Sequence, residues 1–407
     1  MKILTMHAYF SPFRGGETIA YNTFKMLQDA GHEVVYMAAD RKPYFEENYE
    51  YSKYFIKDIT SVKAYLKRPY AYYYNFEAKR NVNKLLDDFQ PDLVHIHNVI
   101  TCFSPAVLEC LKNVPTIMTV HDSGIICPAS TLMYKNKQMC TNIYCKKGNI
   151  INCLLNKCDS GKLEPSIRKT LRAYFITKNL KYIDKYITPS DALKKLILQA
   201  DIGIKEEDIT TINTFIKTEG KTPNYTNEGY FLYLGAVTKE KGLIYLLDAF
   251  KDMPENIKLH IAGKGRDEEE IKQYAKDNNI TNVEFLGFIS DEERDKQNKN
   301  CIATILPCNW FENCPSVPLE GYIYGKPAIA SDIGGIPELV KNNETGFLFE
   351  PGNVEQLKKC ITEYVNNPQL AVKHGENAYN TAINKYSEKR YFNELIEAYN
   401  ILLECKK

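Results

Sequence analysis

The chain has 407 residues, 44% of them hydrophobic and 25% charged, with a formal net charge of +1. That length exceeds one ordinary hydrophobic core, and the composition is that of soluble globular protein, so two domains are expected. Near-neutral charge excludes a general pull toward nucleic acid, and no apolar run approaches the ~18 residues that a spanning helix needs.

Met1-Lys2 opens directly into the apolar run ILTMHAYF with no leader segment visible, which reads as a cytoplasmic chain with reduced thiols. Residues 2–7 read as a strand, followed by a glycine loop. A helix comes next, carrying Ala20, Phe24, Leu27 and Ala30 at helical spacing and stopped at Gly31. HEVVYMAA then forms the second strand, completing a β-loop-α-β unit of a parallel sheet. Further strands are expected at 92–98, 115–122 and 185–190. After the polar stretch 217–229 the pattern restarts at 230–235 and continues at 257–265, 282–289, 301–307, 326–332 and 346–352. The expected organisation is therefore an α/β domain over 1–216, a linker over 217–229 and a second α/β domain over 230–385. A last helix over 386–407 is expected to cross back to the first domain. Residues 1–213 carry a net +7 and residues 214–407 a net −6, consistent with an anionic partner for the first half or with chance surface charge.

In open α/β sheets ligands gather beyond the carboxyl ends of the strands, so motifs at those positions are the site candidates. SPFRGGETIA places Gly15 and Gly16 between the first strand and the first helix, where bare backbone and a helix start suit a phosphate. Plain turn chemistry is the alternative, since this is no G-x-G-x-x-G fingerprint. LGAVTKEKGL repeats the geometry in the second domain. There Lys241, beside Gly242, reads as a phosphate partner or a surface lysine. IAGKGRDEEEI adds Lys264 and Arg266 before an acidic helix start. His121-Asp122 closes a strand, where a histidine is well placed for chemistry, with a packing histidine as the alternative. In NWFENCPSVPLEGY, Ser316 is expected as an N-cap with Pro318 in the first turn, Glu320 one turn inside the helix and Glu312 in the loop before it. The amides of 313–316 would then point between two unlike carboxylates, an arrangement for a polyhydroxylated, phosphorylated ligand rather than for metal or acid/base chemistry.

Taken in order, RGGETIAYNTFKMLQDAGHEV, TVHD, TPS, LGAVTKEKGL, IAGKG, EFLGFIS, WFENCPSVPLEGYIYGKPAIASDIGGIPELV and GFLFEPGN cover nearly the whole chain. In this series the chain resembles the retaining GT-B glycosyltransferases with an E-x7-E signature, the family 4-like group that uses nucleotide-sugar donors. The resemblance implies two Rossmann-like, doubly wound domains facing a cleft. It implies that Gly15 and Gly16 approach the donor diphosphate, that His121 lies beside the donor sugar and that Lys241 pairs with the diphosphate, with Lys264, Arg14 or Arg266 as candidate further cations on the donor. Glu320 would bind the ribose, Glu312 with the amides of Asn313 and Cys314 would hold the sugar, and Ile289, in GFIS, would lie against the base. The implied reaction is sugar transfer to a glycan or lipid-linked acceptor by front-face attack, with no catalytic cofactor; no Asp-x-Asp occurs in the chain. A catalytically silent GT-B partner or scaffold, and a sugar-nucleotide epimerase on the same fold, are the rival readings. Where the family commonly has Gly-Arg before the Lys-Gly, this chain has Gly235-Ala236, one cation fewer on the diphosphate.

Two features lie outside that pattern. Cys140, Cys145, Cys153 and Cys158 read C-x4-C-x7-C-x4-C, a spacing that fits a structural zinc site, reduced packing thiols or a disulfide. From residue 162 to 195 there are nine Lys/Arg against three Asp/Glu, interleaved with Tyr174, Phe175, Tyr182 and Tyr186. A basic aromatic helix there would rest peripherally on an anionic membrane surface, or present a solvated face.

Overall fold

The computed structural model describes residues 1–10, 15–40, 49–59, 66–99, 102–135, 138–140, 145, 147, 149, 151–158, 163–251 and 253–405. The chain divides into two compact units, Met1–Asn213 together with Phe392–Lys407, and Thr214–Tyr391.

The first unit is built on a parallel sheet. Its strands are β1 (Lys2–Tyr9), β2 (Glu33–Asp40), β3 (Ile56–Lys57), β4 (Leu93–Ile96) and β5 (Thr116–Thr119). A small antiparallel hairpin, β6 (Met133–Tyr134) with β7 (Gln138–Met139), interrupts the series before β8 (Lys185–Thr188) and β9 (Ile209–Thr211). The strand order is β3-β2-β1-β4-β5-β8-β9, all parallel. β1 is buried from Ile3 to Ala8 because helices cover both faces of such a sheet, which is why it reads as a continuous apolar run. The helix Gly15–Asp29 lays Ala20, Thr23, Phe24 and Leu27 inward. Helix Phe76–Phe89 is capped by Asn75, whose side chain accepts from the Ala78 amide. Strand order reverses between β1 and β4, the switch point where a crevice opens beyond the carboxyl ends.

The second unit repeats the plan with β10 (Tyr230–Leu234), β11 (Lys258–Ala262), β12 (Val283–Gly287), β13 (Thr304–Leu306), β14 (Ala328–Ser331) and β15 (Gly346–Phe349). Their order, β12-β11-β10-β13-β14-β15, puts this unit's switch point between β10 and β13. Phe231, Tyr233, Leu246, Phe250, Ile261, Ile305 and Tyr364 are central to its core.

Entry to and exit from the second unit lie side by side. Ile216 bridges to Ser387, the Arg390 guanidinium donates to the Thr214 carbonyl at 3.0 Å, and the rings of Phe215 and Tyr391 lie 4.5 Å apart. The chain then enters the helix Glu388–Glu404, whose buried Tyr399 hydrogen-bonds His95 Nδ1 at 2.6 Å in the first unit. Residues 217–229 form no regular element but are pinned, the amides of Asn224 and Glu228 donating to the carbonyls of Tyr324 and Asn300.

Two expectations are corrected. The strands β3 and β9 and the β6–β7 hairpin have no counterpart in the sequence reading, because two or three residues are too few to show a period. The basic stretch 162–195 is not one helix: it is the helix Leu163–Asn179, a short 3-10 turn, strand β8 and the start of Asp191–Ala200. Tyr186 is consequently core, and Arg172 is buried. Of the Cys-rich insertion expected at about 125–162, residues 136–137, 141–144, 146, 148, 150 and 159–162 lie outside the described residues, as does Arg14.

Candidate active site

Beyond the carboxyl end of β10 the chain makes a 3-10 turn, Lys239–Lys241, and enters the helix Leu243–Phe250. The hinge is Gly242, at φ +77°, whose Cβ would stand 1.8 Å from the Pro307 carbonyl oxygen. Only glycine fits that contact, and it locks the Lys241 turn onto the segment after β13. Lys241 Nζ there forms an ion pair with Glu312 Oε1 and lies 4.8 Å from the centre of the Trp310 ring. Trp310 Nε1 donates to the same Glu312 oxygen at 2.7 Å. The Glu312 backbone is fixed from behind by Gly334 and Gly335. The Gly335 amide donates to its carbonyl at 2.8 Å, and a Cβ on Gly334 (φ +62°) would stand 2.2 Å from that oxygen.

Glu320 sits in the helix Ser316–Tyr322. Ser316 is not the N-cap that its sequence position suggested. It is the first helical residue, and its hydroxyl donates one turn on to Glu320 Oε1 at 2.9 Å, leaving Pro315 at the cap. Arg294 Nε approaches Glu320 Oε2 at 3.7 Å. Burial raises the Glu320 carboxyl above its usual range, and Arg294 and the Ser316 hydrogen bond oppose that shift. A carboxylate so held accepts hydrogen bonds on its remaining lone pairs.

The other residues singled out in this unit fall around the same sheet end. Lys264 is exposed in the loop after β11, its Cε 3.9 Å from where a Cβ on Gly287 would be. Arg266 makes a two-pronged contact to Glu240, both at 2.6 Å. Ile289 packs half-buried against Tyr230, Leu232 and Leu234, while Phe288 beside it is 68% exposed. Cys314 turns its thiol toward the Thr214 backbone and burial pushes it up to about 11, so its backbone amide is the part left for a ligand. Ala236 is exposed, and the Tyr233 hydroxyl donates to its carbonyl at 2.7 Å.

In the first unit Gly16 and His121 meet. A Cβ on Gly16 would lie 3.3 Å from His121 Cγ, so the bare start of the helix Gly15–Asp29 rests on the imidazole. Gly15 is open, with nothing within 4 Å of a built Cβ. Asp122 turns back to accept from the Gly124 amide at 2.7 Å, a capping role; burial raises its carboxyl, offset by that bond and by Arg172. The sequence reading missed the surroundings of His121. His7, His95 and His97 stand with it at the ends of β1, β4 and β5, and His97 Nδ1 is 2.9 Å from His121 Nε2. Burial lowers His121 and His95 to about 3 and His7 to about 4, so all are neutral imidazoles at physiological pH. The signal was in DLVHIHN: His95 and His97 are two apart and so share one face of the strand.

Cys140, Cys145, Cys153 and Cys158 are not joined in disulfides, and burial raises Cys145 to about 12. Among the described residues no group of three or more His, Cys, Asp or Glu is arranged to hold a metal ion. Nor, among them, is any helix long and apolar enough to cross a membrane.

The geometry is that of two doubly wound units whose strand ends carry glycine-opened helix starts, a cation and paired carboxylates, as in glycosyltransferases of the GT-B fold. Residues 13–219 match the model described as Glycosyltransferase Family 4, and residues 215–381 that of Glycosyl transferases group 1. The chain belongs to glycosyltransferase family 4, and it is a transferase. It is 28% identical over 380 residues to the uncharacterized glycosyltransferase MJ1178 of Methanocaldococcus jannaschii, covering 93% of this chain and 92% of that one. The O-antigen chain mannosyltransferase C of Escherichia coli is 24% identical over 226 residues, 54% of this chain and 60% of its own. In fold the chain is similar to Anabaena HepE, solved in complex with UDP-glucose, with a TM-score of 0.69 at 17% identity over 98% of this chain and 99% of that one.

Proposed function

We propose that the second unit binds a nucleotide-sugar donor and that the enzyme transfers the sugar, with retention, to a growing glycan or a lipid-linked acceptor. The observation that carries this reading is the grouping of Lys241, Trp310 and Glu312 at the β10/β13 switch point, with Glu320 one turn inside the next helix. Lys241 supplies the charge for the diphosphate, Glu320 accepts from the ribose hydroxyls, and Glu312 with the amides of Asn313 and Cys314 orients the sugar. Lys264 is a second cation for the diphosphate, and Ile289 lies against the base. His121 and the helix start at Gly15 and Gly16 belong to the donor sugar and diphosphate side of the first unit. The acceptor hydroxyl attacks on the face from which the diphosphate departs, and the departing oxygen takes the proton. Orientation and charge stabilisation then supply the rate, without a protein nucleophile. UDP-glucose in HepE and mannosyl transfer to O-antigen chains are consistent with this class of donor and acceptor.

The lipid-linked variant of the acceptor is supported by Ile167, Leu171 and Tyr174, exposed by 48%, 44% and 43% along one face of the helix Leu163–Asn179, which also carries Lys169 and Lys178. Such a face rests on an anionic bilayer surface. Sedimentation with phosphatidylglycerol vesicles, and not with phosphatidylcholine vesicles, is expected; Leu171→Glu abolishes it.

Thermal protection by UDP or GDP tests the donor site. One of the two raises Tm in the wild type, and Glu320→Ala removes the effect. Equal protection in the mutant rejects the assignment of Glu320 to the nucleoside.

A further inference from the structure

Four of the seven histidines crowd the strand ends of the first unit, and they differ in how their nitrogens are used. His95 has both engaged, Nδ1 with the Tyr399 hydroxyl at 2.6 Å and Nε2 with Thr119 Oγ1 at 2.8 Å. His97 lies between His95 and His121, its ring centre 4.1 Å from the first and 5.1 Å from the second, and it is nearly parallel to His121 at 18°. Its Nδ1 meets His121 Nε2, whereas its Nε2 is buried without a partner among the described residues. His97 lines a cavity of about 50 Å³ shared with Asp122, Ser130 and Arg172, and Arg172 Nε is likewise buried without a partner among the described residues.

A neutral imidazole has one donor and one acceptor, so a bond made at one nitrogen sets what the other can do. Polar groups stand on the cavity's wall beside Met118, Val120 and Ile125, and it is large enough for water. Arg172 can only donate and the Asp122 carboxylate only accepts, so a water held between them would have a hydrogen to give to His97 Nε2. The His97 proton then sits on Nδ1 and is donated to His121 Nε2. His121 in turn carries its own proton on Nδ1, the atom 3.5 Å from where a Cβ on Gly16 would be.

We propose that His97 is a positioning residue for the glycosyl transfer: it stacks on His121 and holds it as the Nδ1–H tautomer, turned toward the helix start at Gly16. The proposal rests on the reading of His121 as a residue of the donor-sugar side. It assigns a task to the H-x-H pair at the end of β4, which packing alone leaves unexplained, because an apolar ring would stack as well and strand no nitrogen.

The test uses the full chain labelled with ¹⁵N-histidine at pH 7.5, where the ring nitrogens report the tautomer directly. In the wild type His121 Nδ1 is expected at a protonated, pyrrole-like shift and Nε2 at a pyridine-like one. His97→Phe, which keeps the stacking ring, scrambles that preference, and His97→Asn, which keeps a donor near the Nδ1 position, retains it. In transfer from UDP-glucose or GDP-mannose, whichever is the donor, His97→Phe lowers kcat by about 10-fold to 100-fold with KM within about twofold, the usual cost of losing an orienting partner; His97→Asn recovers most of it. An Nε2–H His121 in the wild type, or a kcat in His97→Phe equal to that of the wild type, overturns the proposal. A fully active His121→Ala overturns instead the placement of His121 at the donor, while the tautomer measurement still judges the coupling.

Discussion

Lys241 and Glu312, 71 residues apart, form an ion pair in which both side chains are largely shielded from solvent, 21% and 16% exposed. On the proposed roles of Lys241 at the diphosphate and Glu312 at the sugar, a diphosphate at Lys241 would compete with this carboxylate and free it for the sugar. Lys241→Met is expected to weaken UDP or GDP binding by about 10-fold to 100-fold, the equivalent of one charge-assisted hydrogen bond. Glu312→Gln is expected to bind the nucleoside diphosphate at least as tightly as the wild type while losing transfer. Calorimetric titration of both variants decides; weaker binding in Glu312→Gln would mean that the pair organises the site instead of guarding it.

Ala236, which the family resemblance sets where an arginine is common, is exposed, with its carbonyl held by Tyr233. The nearby cation Arg266 is occupied by Glu240. Ala236→Arg is therefore expected to raise kcat/KM by about 10-fold, since one added charge-assisted contact is worth roughly 1.5–3 kcal/mol. Steady-state kinetics with the natural donor measure it, and an unchanged or lower value would show that Arg266 already leaves Glu240 for the diphosphate.

Gly334→Ala tests how Glu312 is held. The substitution demands a left-handed backbone from alanine and forces Cβ against the Glu312 carbonyl, so it is expected to cost about 1–3 kcal/mol in stability. Activity should fall further than stability does, because the displaced group bears the Lys241 contact. Chemical denaturation and kinetics on the same preparation separate the two losses.

The histidine stack makes the first unit sensitive to acid. His7, His95 and His121 are held neutral by burial, with native values of about 4, 3 and 3, below the ~6.5 of an unfolded histidine. As pH falls below 6.5 the unfolded chain takes up protons that the native one refuses. Stability is therefore complete above that value and declines toward pH 4, by about 2 kcal/mol per histidine at pH 5. Unfolding followed between pH 7.5 and 5 should show this loss, and His95→Phe should flatten it. A midpoint independent of pH across the window contradicts the burial of these rings as neutral groups.

Much of this architecture could be read before the structure. Strands such as YFLYL and TIMT are buried on both faces and carry unbroken apolar runs, and Gly242 and Lys241 announce a strand-to-helix turn by type and spacing. Ser316 was misread because one hydroxyl can serve either as a cap or as a partner one turn on, and only the proximity of Glu320 decides. The Lys241–Glu312 pair and the ring contact of His97 with His121 join residues far apart in the chain, so no local period encodes them. Gly334 and Gly335 were visible as a pair, but that their bare backbone supports the carbonyl of Glu312 depends on how β14 lies beside β13.

Tyr399, the partner of His95, lies 304 residues further along the chain yet belongs to the same unit, which Thr214–Tyr391 interrupts. The first unit thus hosts the second as an insertion, and its imidazole cluster closes only when chain from both sides of the insert has met. A single cut anywhere within Thr214–Tyr391 would turn that closure from a step of folding into an association of two pieces.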